Sequence, residues 1–86
     1  MADDQVVIGG IYAHYKAGNS PKAGNLYTYE VIAVGRDTET DEVVIVYKQL
    51  YEKDGFPVGH VWVRSRDGVK GFTTPEGDKP RFRLIE

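Results

Sequence analysis

Apolar and polar residues follow one another along this chain in the manner of short β-strands broken by turns. From Ile11 to Lys16 the side chains alternate, with Ile11, Ala13 and Tyr15 on one side and Tyr12, His14 and Lys16 on the other. That is the period of two a strand imposes. Ala17 to Asn25 holds Gly18-Asn19-Ser20-Pro21 and Gly24-Asn25, turn chemistry with φ fixed at Pro21. Leu26 to Gly35 is rich in Tyr, Thr, Val and Ile, residues that fit a pleated surface. After a polar connection, Arg36 to Asp41, comes Val43-Val44-Ile45-Val46-Tyr47, apolar on both faces. A run so short and so β-branched predicts a buried central strand rather than a helix. Tyr51 to Val58, with Asp54-Gly55 and Pro57, reads as a loop.

Gly59 to Ser65 alternates again, Val61 and Val63 against His60, Trp62 and Arg64. Arg66-Asp67-Gly68 signals a turn, and Val69 to Thr73 predicts a short strand or a single turn around Phe72. Thr74 to Lys79 is loop, and Arg81 to Ile85 closes the series with Phe82 and Leu84 opposed to Arg81 and Arg83. No ten-residue stretch carries a helical period with caps. The expected fold is mainly β, about five short antiparallel strands with little or no helix. At this length it closes into a small barrel, which removes exposed edges, or forms an open antiparallel sheet.

Composition narrows the picture. With 86 residues there is room for one domain, expected over 1–86 with an ordered core from about residue 9. Such a domain buries roughly 60–65% of its unfolded surface, so the core is thin. The chain has no cysteine, which excludes disulfides, thiolate metal sites and a cysteine nucleophile. Packing must then rest on six Tyr, three Phe and one Trp. A net charge of −2 argues against a general affinity for phosphate backbones. The charges are uneven, however. Arg64, Arg66, Lys70, Lys79, Arg81 and Arg83 face only Asp67, Glu76 and Asp78 in one stretch, while the first five residues and Asp37 to Glu42 are acidic. No window has the ~18 apolar residues of a membrane span, and the start Met1-Ala2-Asp3-Asp4-Gln5 has no secretory pattern. A soluble cytoplasmic protein is expected, without a membrane role.

Gly10-Ile11-Tyr12-Ala13-His14-Tyr15-Lys16, Tyr29-Glu30-Val31, Thr38-Glu39-Thr40-Asp41-Glu42, Val46-Tyr47, Leu50-Tyr51, Trp62-Val63-Arg64 and Pro80-Arg81-Phe82 occur in that order. Together they resemble a bacterial family of small domains of unknown function, number 1653, over nearly the whole chain. Ser65 and Gly71-Phe72 depart from the family's usual Pro and Leu-x-Met-Phe run. The resemblance implies a small SH3-like barrel and implies no activity.

Three of the predicted strands share a feature that can carry chemistry. One face is apolar: Ile11 and Ala13, Val61 and Val63, Phe82 and Leu84. The other carries rings and cations: Tyr12, His14 and Lys16; His60, Trp62 and Arg64; Arg81 and Arg83. Brought together outward, the second set would stack a base and pair with phosphate or carboxylate. Tyr12, His14, Lys16, His60, Trp62, Arg64 and Arg81 are therefore the candidate ligand-binding residues, for a nucleotide, a single-stranded nucleic acid or an acidic peptide.

The plainer reading makes these the wet side of half-exposed strands, with Trp62 in the core and Arg64 paired to Glu30 or Glu42. An oligomerising or protein-pairing module is the alternative function. A small enzyme with His14 as acid or base near Glu30 or Glu52 is the second alternative, and it is the less favoured because no nucleophile or paired-carboxylate spacing stands out. His14 and His60 form no metal motif, and no cofactor or catalytic residue is assigned.

Overall fold

The computed structural model describes residues 6–86; the acidic start of the chain lies outside them. Five strands form one antiparallel sheet: β1 Ile11–His14, β2 Thr28–Arg36, β3 Val43–Gln49, β4 Val61–Ser65 and β5 Phe82–Leu84. Their spatial order is β4-β3-β2-β1-β5. Consecutive strands from β1 to β4 are neighbours, and β5 returns to the far side of β1. β4 and β5 do not pair, so the sheet has two edges and is not a closed barrel.

The first strand is shorter than its alternation suggests. It stops at His14, whose Nδ1 accepts the Lys16 backbone N–H at 3.2 Å and caps a single 3-10 turn, Tyr15–Ala17. That local bond competes with the ladder and places Tyr15 and Lys16 off the strand. Residues 69–73 form turns rather than a strand. β3 is not buried on both sides: Ile45, Tyr47 and Gln49 point inward, while Val44, Val46 and Lys48 are half-covered. In β2 the register slips between Val31 and Ala33, a bulge that bends the strand.

The core is made of rings. Tyr12 of β1, Tyr29 and Val31 of β2, Ile45 and Tyr47 of β3, and Phe82 of β5 line one concave face, with Tyr51 beside them. Phe72 seals it, 1% exposed and stacked on Phe82 at 4.1 Å with the planes 2° apart. Its edge contacts to Tyr12 and Tyr47 lie at 5.2 and 5.4 Å. The turn before it is tight: a Cβ on Gly71 would fall 2.5 Å from the Arg66 carbonyl oxygen, so only glycine lets the chain drop Phe72 inward there.

This packing reverses one expectation. The valines of β4, taken for the apolar inner row, are exposed, Val61 at 49% and Val63 at 62%, whereas Trp62 and Arg64 lie on the core side. Register makes the point: Trp62 sits opposite Tyr47 and Arg64 opposite Ile45. A ring buries about 150–250 Å² and a valine far less, so the aromatic face takes the interior.

Candidate functional site: the rim of the aromatic face

The rings and cations singled out in the sequence divide three ways. His14, Trp62 and Arg64 do share one side of the sheet with Tyr12, and that side is the concave one; they form its rim while Tyr12 is buried. The Tyr12 hydroxyl accepts the Val7 backbone N–H at 2.9 Å, and its ring packs on Phe72. Lys16 is exposed in the 3-10 turn next to His14.

The β5 cations go elsewhere. His14 is opposite Phe82, and Ala13 is opposite Arg83, so Arg83 falls on the convex side and donates to the Gly18 carbonyl at 2.7 Å. Arg81 is 7% exposed; its Nε donates to the Thr74 carbonyl and its Nη2 to Glu76 at 2.8 Å. It ties the 74–79 loop to the end of β5. Glu30, expected near His14 or Arg64, pairs instead with Lys48 at 3.6 Å.

Arg64 is the hinge of the rim. Its Nε donates to the Tyr47 hydroxyl at 3.2 Å and its Nη1 to the Lys70 carbonyl at 2.6 Å. The guanidinium carbon lies 5.5 Å from the centre of the Phe82 ring, within cation–π range. The His14 ring meets the same Phe82 at 5.1 Å. Arg64 and His14, from strands three apart in the sheet, thus flank one ring because the sheet curls.

Burial depresses the His14 imidazole from 6.5 to about 4, and the positive charges of Arg64, Lys16 and Arg81 add to this against the opposing carboxylate of Glu76. The ring is neutral at pH 7. With Nδ1 accepting from Lys16, the proton sits on Nε2, which makes no hydrogen bond among the described residues and reaches solvent.

Tyr27 frames this end of the rim. It has φ 64°, a left-handed conformation that a bulky residue adopts at a cost. Its carbonyl accepts the His14 N–H at 2.9 Å, and its ring stands 5.7 Å from Tyr51 and 6.1 Å from His14. Tyr29 and Tyr51 share a hydroxyl–hydroxyl bond of 2.5 Å beneath it, and burial raises both phenols.

The other end of the rim is an aromatic trio. Phe56, His60 and Trp62 stand 4.8, 5.1 and 4.6 Å apart pairwise, ring centre to ring centre. Gln49 holds them. Its Oε1 accepts the indole N–H of Trp62, and its Nε2 donates to the carbonyls of Tyr51 and Phe56, all at 2.9 Å. Phe56 was not a sequence candidate. Asp54 and Gly55, at φ 56° and 85°, make the two-residue turn whose Asp-Gly signature predicts a hairpin, closed by Lys53 and Phe56. Read as a hairpin rather than a loop, that signature would have directed Phe56 toward Trp62.

Two surface recesses of about 260 and 370 Å³ lie apart from this rim, lined by Val6, Val34, Ile45 and Arg66 and by residues of the 36–43 and 65–68 segments. Neither includes His14. Among the described residues no three His, Asp or Glu side chains converge as a metal site would require, and no helix is long and apolar enough to cross a membrane.

The order of strands, the buried tyrosines and the Trp62–Arg64 element now stand beside a family model that matches residues 10–84, described as a protein of unknown function, DUF1653. The chain belongs to the DUF1653 family. No curated relative and no solved structure matches the chain. Membership of DUF1653 therefore carries no activity with it, and function must be argued from the rim itself.

Proposed function

We propose that this domain is a binding module for a nucleotide unit, free or within a single strand, held along the rim from Phe56 to Lys16. The planar base stacks on the Phe56–Trp62 end, and the phosphate lies toward Arg64, the Nε2–H of His14 and Lys16. One observation carries the reading: Arg64 stands between the two ends, two residues from Trp62 on the same strand face and across Phe82 from His14. Two residues of strand span roughly 7 Å, within the reach of one nucleotide. Its Nη2 makes no hydrogen bond among the described residues, which leaves a charged donor for an anion. A neutral His14 among three cations and one carboxylate also supports an anionic guest. We further read the sheet as an SH3-like barrel left open between β4 and β5, a reading supported by β5 returning beside β1.

The single Trp makes the test direct. Titrating the protein with a ten-nucleotide single strand at low salt should quench Trp62 emission and raise the melting temperature. Stacking is worth about 1–3 kcal/mol per base, so micromolar to millimolar binding is expected. Lys16→Glu, on an exposed side chain, should weaken it several-fold without changing the melting temperature of the free protein. Emission and melting that stay flat up to millimolar oligonucleotide and nucleotide alike would end this reading.

A further inference from the structure

The geometry points to a second surface: the free edge of β4, which we propose pairs with β4 of a second copy of this chain. Backbone direction along β4 follows from two bonds at its ends. Gln49 N–H donates to the His60 carbonyl, and Arg66 N–H donates to the Val43 carbonyl. In the constant β3–β4 register, antiparallel alternation then turns the backbone groups of Trp62 and Arg64 toward β3 and those of Val61 and Val63 outward. Among the described residues nothing outside the sheet bonds to the Val61 or Val63 backbone.

The edge is short, and this decides what fits it. At one end the Ser65 carbonyl already accepts the Phe72 N–H at 2.8 Å, and Thr73 covers Arg66. At the other, Gly59 at φ 92° turns the chain away. Val61 and Val63 remain open on both their groups, and Ser65 keeps one outward N–H, so the edge offers three donors and two acceptors. A second β4 running antiparallel about a twofold axis through Trp62 places Val61 against Val63 of the copy, and Val63 against its Val61. Each pairing exchanges two bonds, so four hydrogen bonds satisfy the open groups of Val61 and Val63 on both edges. A longer foreign strand would gain little beyond this, the Ser65 N–H alone, because the Ser65 and Arg66 carbonyls are already taken.

The side chains agree with that register. Val61 and Val63 are 49% and 62% exposed on the convex face, and the half-covered Val46 lies beside Val63. Pairing would join two such valine rows into one band. Edge strands are ordinarily guarded by lysine, proline or a bulge. β4 has none of these, and its one charged side chain, Arg64, is turned inward onto Phe82. The contact is well under the ~1,200 Å² of a stable interface, so association should be weak and concentration-dependent.

Sedimentation equilibrium of the full chain from 10 μM to 1 mM reads it. The wild type should shift toward a dimer across this range, and amide exchange at Val61 and Val63 should slow as concentration rises. Val63→Lys should hold the protein monomeric while leaving its melting temperature within a few degrees. Val63→Pro, which deletes an outward N–H and no ladder bond, should do the same. A monomer at every concentration, or a dimer that Val63→Lys leaves intact, overturns the proposal. Since Val63 lies off the rim, Val63→Lys should still bind nucleotide, so failure here is distinct from failure of the nucleotide reading.

Discussion

Acidification is the sharpest probe of the rim. His14 titrates near 4 in the folded chain against 6.5 when unfolded, chiefly through burial and then through Arg64, Lys16 and Arg81. Between those pH values the unfolded chain binds a proton that the folded chain refuses, so stability falls as pH drops from 6.5 toward 4 and is fully regained above 6.5. The whole depression corresponds to ~3.4 kcal/mol at about 1.36 kcal/mol per unit. The imidazole is only half-buried, and solvent screening reduces this to roughly 1.5 kcal/mol. At about 4–8 °C per kcal/mol, the melting temperature should lose ~6–12 °C on this account.

The carboxyls of Asp37 and Asp67, held low by backbone N–H groups and by Arg66, lose their stabilising effect only below the window. The difference between wild type and His14→Gln isolates the imidazole: melted side by side from pH 7.5 to 4.5, their gap should narrow as the pH falls. A gap that stays constant, or an imidazole NMR titration centred near 6.5, would refute the placement of His14 against Phe82 and among the cations.

Two further outcomes test the frame that carries the rim. Phe72→Ala removes a ring stacked on Phe82 and edge-on to Tyr12 and Tyr47; urea unfolding should show a loss of about 3–5 kcal/mol, and a loss below 1 kcal/mol would mean that Phe72 does not seal the core. Gln49→Ala leaves the Trp62 indole N–H and the Tyr51 and Phe56 carbonyls without their partner; about 2–4 kcal/mol should go, with Trp62 emission shifting to the red, and an unmoved spectrum would show the trio held by something else.

The strands were largely legible because alternation and turn residues are local signals. Val43 to Tyr47 and Val61 to Ser65 announce themselves by β-branching and period. What escaped was non-local or competing. Nothing in Tyr15-Lys16 says that the strand ends two residues earlier, at His14; the cause is the bond from the Lys16 N–H to the His14 ring. Nothing near Phe72 marks it as the plug of the core, since its partners Tyr12, Tyr47 and Phe82 come from three separate strands. The lack of a β4–β5 pairing is likewise a long-range fact, invisible to a pattern of twos.

The site shows the same division more sharply. Alternation sorts a strand into two faces but gives neither one a direction; area decides that. Val61 and Val63 look like the inner row of β4 by polarity, yet Trp62 outweighs them, and Tyr47 opposite needs a ring-sized neighbour. Once Trp62 turns in, Arg64 must follow two residues on, and its charge is tolerated there because Tyr47, Lys70 and Phe82 receive it. The face that bears the chemistry is therefore also the face that holds the core. A ligand can reach only its rim, and the residues that build the interior cannot be changed to probe it. The informative substitutions are those at the margin: Lys16 and His14 at one end, and Phe56 at the other.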